Sequence, residues 1–261
     1  MNLSFSKYQG TGNDFIIIDN RKSLLHLTTE QINFLCNRKF GIGADGLMLL
    51  EENKNYDFEM KYFNADGKES SMCGNGGRCM IQFAFDNEIK KEHYTFLAVD
   101  GVHEGIIATE SFVELKMQDV TNIDYRNDNT FVLNTGSPHF IQQVKNVDAI
   151  NVYEHGKKIR YNDEFNAKGI NVNFVEQIAD NIIKVRTYER GVEDETLSCG
   201  TGVTAAALVF GESQTVLNTV QVHTSGGKLS VKFEKENNQL FKNIWLCGAA
   251  TFVFKGEINM L

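Results

Sequence analysis

Residues 72–79 read MCGNGGRC, and residues 198–202 read SCGTG. In each, a cysteine precedes Gly-polar-Gly, and an apolar stretch follows: RCMIQFAF (78–85) in one, VTAAALVF (203–210) in the other. The two cysteines, Cys73 and Cys199, lie 126 positions apart in a chain of 261 residues. The same offset recurs elsewhere. GADGLMLLEE (43–52) falls on GINVNFVEQI (169–178), and TFLAVDGVHEGIIA (95–108) falls on QVHTSGGKLSVKFE (221–234). At nearly the same spacing TGNDFI (11–16) resembles TGSPHFI (135–141), and MKYFNADG (60–67) resembles VRTYERG (185–191). Five matches in one order mark an internal duplication, which shared propensity alone does not produce.

Each half follows one plan. A strand leads to a Thr-Gly turn, further strands follow, and then come the Cys-Gly-x-Gly turn, a helix and a hairpin. The stretches 78–85 and 203–210 are apolar on nearly every face and read as buried helices. Residues 95–107 and 220–233 alternate apolar and polar side chains around Asp100-Gly101 and Gly226-Gly227, the pattern of two hairpins. The fold class expected is α/β (α+β), with two pseudo-symmetric halves, each a curved mixed sheet wrapped around a central helix. The expected halves are residues 1–118, carrying Cys73 and joined by the C-terminal strand 250–261, and residues 119–249, carrying Cys199. Duplicated domains place equivalent loops face to face, so the expected site is the cleft between the halves.

Composition excludes several classes of function. Apolar residues make up 42% of the chain, which supports a sizeable core, and a single Pro with 22 Gly argues against a Pro-rich linker. The formal charge is −8, with no basic stripe, so no nucleic-acid partner is expected. MNLSFSKYQG lacks the pattern of a signal peptide and no apolar run is long enough to span a bilayer, so no membrane partner is expected and the location expected is cytoplasmic. Five cysteines at irregular spacing suit reduced thiols better than a disulfide framework. They contain no CxxC pair, so no metal site is expected.

A thiol at a helix N-terminus sits by backbone N–H groups and the positive end of the macrodipole, both of which favour thiolate. The same N–H groups can hold a carboxylate. Two such thiols, one on each side of a small chiral molecule, supply a base on one face and an acid on the other. That pairing removes an α-proton from one face and returns a proton to the opposite one, with no cofactor. Acyl transfer needs one thiol and a histidine, and leaves the second copy unexplained.

GTGNDFIIID, FNADGKESSMCGNGGRC, GSPHF, GINVNFVE and YERGVEDETLSCGTG resemble, in order, the motifs of the diaminopimelate epimerase family. The resemblance runs along almost the whole chain. It implies a cofactor-independent isomerase that interconverts LL- and meso-diaminopimelate for lysine and peptidoglycan precursor synthesis. Its catalytic residues would be Cys73 and Cys199, as base and acid with roles exchanged in the reverse direction, with His139 and Glu189 setting their protonation. Substrate would be bound by Asn13, Asn64, Gly74, Asn75, Ser137, Asn171, Glu189, Arg190, Gly200 and Thr201. The partner implied is a small-molecule substrate, and a homodimer is left open. Proline racemase-like enzymes share the two-cysteine logic without these flanking motifs, and stand as the alternative. A non-catalytic small-molecule binding protein has no need of two symmetric thiols.

Two positions depart from the family pattern. Ser137 stands where an Asn often precedes the Pro-His pair, and Gly46 where some members carry a Gln. Read without the resemblance, each cysteine is a buried thiol, Asn13 and Asn64 are turn formers, and the run Glu193-Asp194-Glu195 is a solvated loop. Cys36, Cys79 and Cys247 read as ordinary core or near-surface thiols.

Overall fold

The computed structural model describes residues 2–22, 24–127, 129–211 and 217–260. Met1 and Leu261, the outer limits of the expected halves, lie outside the described residues. The chain divides into two compact units, Met1–Leu115 with Gly248–Leu261, and Lys116–Cys247.

In the first unit β1 (Asn2–Gly10) turns back into β2 (Asn13–Asp19) through Thr11 and Gly12, both at positive φ. Such a two-residue loop matches the right-handed twist of its strands. The helix α1 (Thr29–Cys36) starts at a capping box, in which the Thr28 hydroxyl accepts from the Gln31 N–H and the Gln31 side chain from the Thr28 N–H. It carries the chain over to β3 (Gly46–Glu51), parallel to β2, and β4 (Phe58–Asn64) returns antiparallel. A second helix, α2 (Gly74–Asp86), crosses to β5 (His93–Ala98), which is parallel to β4. β6 (Gly101–Thr109) and β7 (Phe112–Lys116) complete an antiparallel meander. The last strand, β17 (Thr251–Asn259), pairs antiparallel with β1.

The second unit opens with β8 (Ile123–Asn127), β9 (Thr130–Asn134) and β10 (Pro138–Gln143), all antiparallel. A 3₁₀ turn and α3 (Val152–Arg160) then cross to β11 (Asn171–Ala179), parallel to β10. β12 (Ile182–Glu189) returns antiparallel, and the short β13 (Asp194–Thr196) folds against its end. After α4 (Gly200–Phe210) come β14 (Leu217–Thr224), parallel to β12, then β15 (Gly227–Lys235) and β16 (Phe241–Ala249). The connectivity repeats that of the first unit. In both, a helix crossover joins two parallel strands, an antiparallel strand follows, and a second helix leads to a strand parallel to that one.

The central helix of each unit is enclosed by its own strands. From Gly74 to Ala84 every residue of α2 is buried, against β1, β2, β3, β6 and β17. In α4, Ala205, Ala206 and Ala207 have no exposed surface where the helix packs on β9–β12, β14 and β15. Larger side chains there would overpack the core at a cost of roughly 1–3 kcal/mol. Both helices start earlier than the apolar stretches suggest. The Gly77 N–H donates to the Cys73 carbonyl at 2.7 Å, and the Val203 N–H to the Cys199 carbonyl at 2.8 Å, so the glycines form the first helical turn. The two hairpins also turn one residue earlier than read, at Val99-Asp100 and Ser225-Gly226, with Gly101 and Gly227 taking the positive φ.

An ion cluster with a buried inner end ties the start of β2 to the loop before β3. The Lys7 ammonium lies 2.8 Å from Asp14, and also donates to the Gly43 carbonyl. The Arg38 guanidinium grips both Asp14 oxygens, at 3.0 and 2.6 Å, and reaches Asp45 at 2.8 Å. Burial alone would raise the Asp14 carboxyl, but the hydrogen bonds from Arg38 and Lys7 outweigh it and bring it down to about 2. A depressed folded-state value stabilises above the unfolded one and is lost as pH falls through the folded one. Asp14→Asn should therefore lose about 2 kcal/mol at neutral pH. In urea denaturation its deficit against the parent should shrink between about pH 4 and pH 2, and a deficit constant with pH would contradict this account.

Candidate active site

Each cysteine is the N-cap of its central helix, in extended backbone conformation, and neither makes a side-chain capping hydrogen bond. The first-turn N–H groups, from Gly74 to Gly76 and from Gly200 to Gly202, have no intrahelical acceptor. Those groups and the macrodipole suit a carboxylate at either helix start. In α4 the approach of β11 demands glycine, because a Cβ on Gly202 would overlap Oδ1 of Asn173.

Around Cys73, in the first unit, Asn13 at the start of β2 places its Oδ1 3.5 Å from the Cys73 Sγ. The Asn13 amide nitrogen donates to Asp45 at 2.6 Å, and the same Oδ1 lies 3.5 Å from the Asn75 amide nitrogen. Asn75 is itself held by Arg78, whose guanidinium donates to its Oδ1 at 3.0 Å, to the Thr11 hydroxyl at 3.1 Å and to the Gly74 carbonyl at 3.2 Å. Arg78 is fully buried. Asn64 ends β4 opposite Gly46, exposed, and is not hydrogen-bonded to this cluster among the described residues. Gly46 has no room for the longer side chain of some family members, since even a Cβ would lie 2.6 Å from the Tyr62 ring and 2.7 Å from the Phe63 carbonyl.

In the second unit the Thr201 hydroxyl stands 3.5 Å from the Cys199 Sγ and 2.9 Å from Nε2 of His139. His139 lies on β10, fully buried. Desolvation, with the charge of Arg190 as a smaller cause, pushes its imidazole down to about 3, so it stays neutral through the physiological range. Its Nδ1 meets the amide nitrogen of Asn173 at 3.1 Å. Asn171, opposite His139 in the β10–β11 register, donates to the Ser137 hydroxyl at 2.8 Å and to the Pro138 carbonyl at 3.0 Å. Its Oδ1 accepts the Arg190 N–H at 2.9 Å. The exposed Arg190 side chain touches the Ser137 hydroxyl at 3.5 Å and the Lys168 carbonyl at 3.2 Å. Glu189 accepts from the Thr196 hydroxyl at 2.8 Å.

The structure thus gathers Asn13, Cys73 and Asn75 in one cluster. In the other unit it links Cys199, Thr201 and His139 in one chain of contacts, and Ser137, Asn171 and Arg190 in another. Several participants escape the sequence reading. Asn173 shares a strand face with Asn171 in GINVNFVE, because alternate residues of a strand point the same way, and that spacing was the available signal. Arg78 is hidden inside an apolar helix, and Thr187, which donates to the Asn173 Oδ1 at 2.9 Å, gives no motif. In the run 193–195 Asp194 is exposed as expected, but the two glutamates are engaged. The Glu195 carboxylate takes a bidentate grip from Arg186, at 2.7 Å on each oxygen, and Glu193 accepts from the Tyr188 hydroxyl at 3.2 Å. Cys36, Cys79 and Cys247 are all buried, and burial pushes the first two thiols up to about 12. Cys36 and Cys79 are thereby held as neutral thiols at physiological pH.

The family model for diaminopimelate epimerase matches residues 5–120 and 131–253. The diaminopimelate epimerase of Flavobacterium psychrophilum is 49% identical over 258 residues, spanning 98% of this chain and 100% of that protein. Among solved structures, a PhzF-family phenazine biosynthesis protein of Bacillus anthracis superposes with a TM-score of 0.75 at 17% identity, over 100% of both chains. A probable proline racemase of Agrobacterium radiobacter gives 0.68 at 14% identity, over 99% of this chain and 93% of that one. These two share the fold alone, a mixed α/β architecture in two halves. With motifs, family model and a close relative agreeing along nearly its whole length, the chain belongs to the diaminopimelate epimerase family, a family of isomerases.

Proposed function

We propose that the protein interconverts LL- and meso-diaminopimelate by two-base proton transfer, with Cys73 and Cys199 as base and acid and no cofactor. The observation that carries this reading is the matched placement of the two thiols. Each caps a buried helix and each touches its own polar partner, Asn13 in one unit and Thr201 in the other. A cytoplasmic location is carried as part of the same reading.

The chemical difficulty is the weak acidity of a carbon that bears a carboxylate and an ammonium. The first-turn N–H groups of α2 and α4 offer donors to the carboxylate, where negative charge grows as the α-proton leaves. The Arg190 guanidinium presents a planar fork suited to a carboxylate. Asn13, Asn64, Asn75, Ser137 and Asn171 supply the remaining polar contacts, and Gly74, Gly200 and Thr201 the helix-start backbone. Glu189 and His139 tune the protonation of the thiols. The reaction itself requires that the thiols address opposite faces of the α-carbon. A thiolate takes the proton from one face while the other thiol gives its proton to the opposite face, and no group is left covalently attached.

Incubation with LL-diaminopimelate in D₂O should wash the α-proton signal out of the NMR spectrum as the meso isomer forms. Exchange with free L-proline and none with diaminopimelate would move the protein to the racemase alternative. No exchange with either would leave a binding protein. Cys73→Ala and Cys199→Ala should each lower kcat by on the order of 10⁴-fold, the scale of a lost acid or base, while near-ultraviolet circular dichroism stays unchanged. Near-parental turnover by either variant would sink the two-base assignment.

A further inference from the structure

The two helix starts are alike, so helix dipole and first-turn N–H groups give neither thiol an advantage. One difference lies in the direction of the hydrogen bonds that Asn13 and Thr201 make with the two sulfurs, and the polar chains fix that direction from their outer ends. In the first unit Arg78 only donates, so the Asn75 oxygen faces it and the Asn75 amide nitrogen faces Asn13. Asp45, ion-paired to Arg38, only accepts, so the Asn13 nitrogen points to it. The Asn13 oxygen is thereby left to face the Cys73 Sγ. An amide oxygen there accepts a hydrogen bond from S–H and repels a thiolate.

In the second unit the polarity is reversed. The Phe140 carbonyl only accepts, so the Asn173 amide nitrogen points to it at 3.1 Å, while the Asn173 oxygen accepts from the Thr187 hydroxyl at 2.9 Å. The second amide hydrogen then faces Nδ1 of His139, which must be an acceptor. The imidazole proton consequently sits on Nε2 and donates to Thr201, which leaves the hydroxyl proton of Thr201 available to the Cys199 Sγ 3.5 Å away. A sulfur that receives a hydrogen bond is stabilised as thiolate.

We infer that the resting enzyme holds Cys73 as the thiol and Cys199 as the thiolate, and that Asn173 is the positioning residue that sets this by locking the tautomer of His139. The inference rests on the epimerase reading of the two cysteines. It deepens that reading by giving each thiol its starting role. A substrate whose α-proton faces Cys199 transfers it to that sulfur. The carbanion takes the proton of Cys73, leaving a Cys73 thiolate. The resting state returns when Cys199 releases its proton to water and Cys73 regains one from water. The buried neutrality of His139 agrees with this picture, because an imidazolium would point an N–H at the Asn173 amide.

The test is NMR of enzyme carrying ¹³Cβ-cysteine and ¹⁵N-histidine, without substrate, near neutral pH. Signals are assigned with Cys73→Ser, Cys199→Ser and His139→Gln. The Cys199 Cβ should lie at the thiolate position and the Cys73 Cβ at the thiol position, with His139 protonated on Nε2 alone. Any other protonation pattern overturns the inference, whether or not the enzyme turns over diaminopimelate. Failure of the D₂O exchange overturns the epimerase reading instead, so the two failures are distinguishable. Asn173→Asp keeps the shape but offers His139 an acceptor. The proton should move to Nδ1, the Cys199 signal should shift to the thiol position, and kcat should fall on the order of 10²-fold or more with a smaller change in KM. A variant that folds and keeps the Cys199 thiolate would remove Asn173 from this role. If it does not fold, the spectra of the parent enzyme decide.

Discussion

A helix enclosed on every side still has to present its first-turn N–H groups to something. α2 and α4 are buried along almost their whole lengths, and burying unsatisfied N–H groups costs free energy comparable to lost hydrogen bonds. A serine or aspartate N-cap would solve this by closing the helix start on itself. Cysteine at the N-cap does not, and its thiol turns instead to a side chain of a neighbouring strand or of its own first turn. The helix start is thus kept as a donor surface next to a thiol. The crossover connections, the glycines of the first turn and the small side chains of α4 all follow from fitting such a helix inside a sheet.

That arrangement explains which parts of the protein were legible in its sequence. The central helices announce themselves by being apolar all round, and the hairpins by alternation about a glycine turn. The long repeat locates Cys73 and Cys199 because a thiol before Gly-polar-Gly is a local pattern. Helix starts were misplaced because glycine reads as a turn signal, although here it permits a close approach. In α4 that approach is by Asn173 of β11, a contact between residues distant in sequence.

The polar residues behind the thiols were harder to see for the same reason. Asn173 is one strand position pair from Asn171, yet its importance depends on the Phe140 carbonyl and on Thr187 from the neighbouring β12. Arg78 reads as a flaw in an apolar helix until the chain Thr11–Asn75–Asn13 is seen around its guanidinium. Glu193 and Glu195 look solvated because nothing local reveals that Tyr188 and Arg186 sit across the β12–β13 pairing. Pairings set by sheet register leave little trace in a single sequence.

Duplication gives this fold two equivalent helix starts, but a proton-transfer enzyme needs them inequivalent at any instant, since two thiols or two thiolates cannot act as acid and base together. The helix starts themselves cannot supply the difference, because they are what the duplication copied. The difference has to come from the ends of the hydrogen-bond chains, where a group that can only donate or only accept fixes every orientation down the line. Arg78 and Asp45 hold that position in one unit, the Phe140 carbonyl in the other. Amides and hydroxyls in between can face either way, so they transmit the choice without making it. On this account the divergence of the two halves is concentrated one residue behind the reacting atoms, and the thiols themselves remain the same.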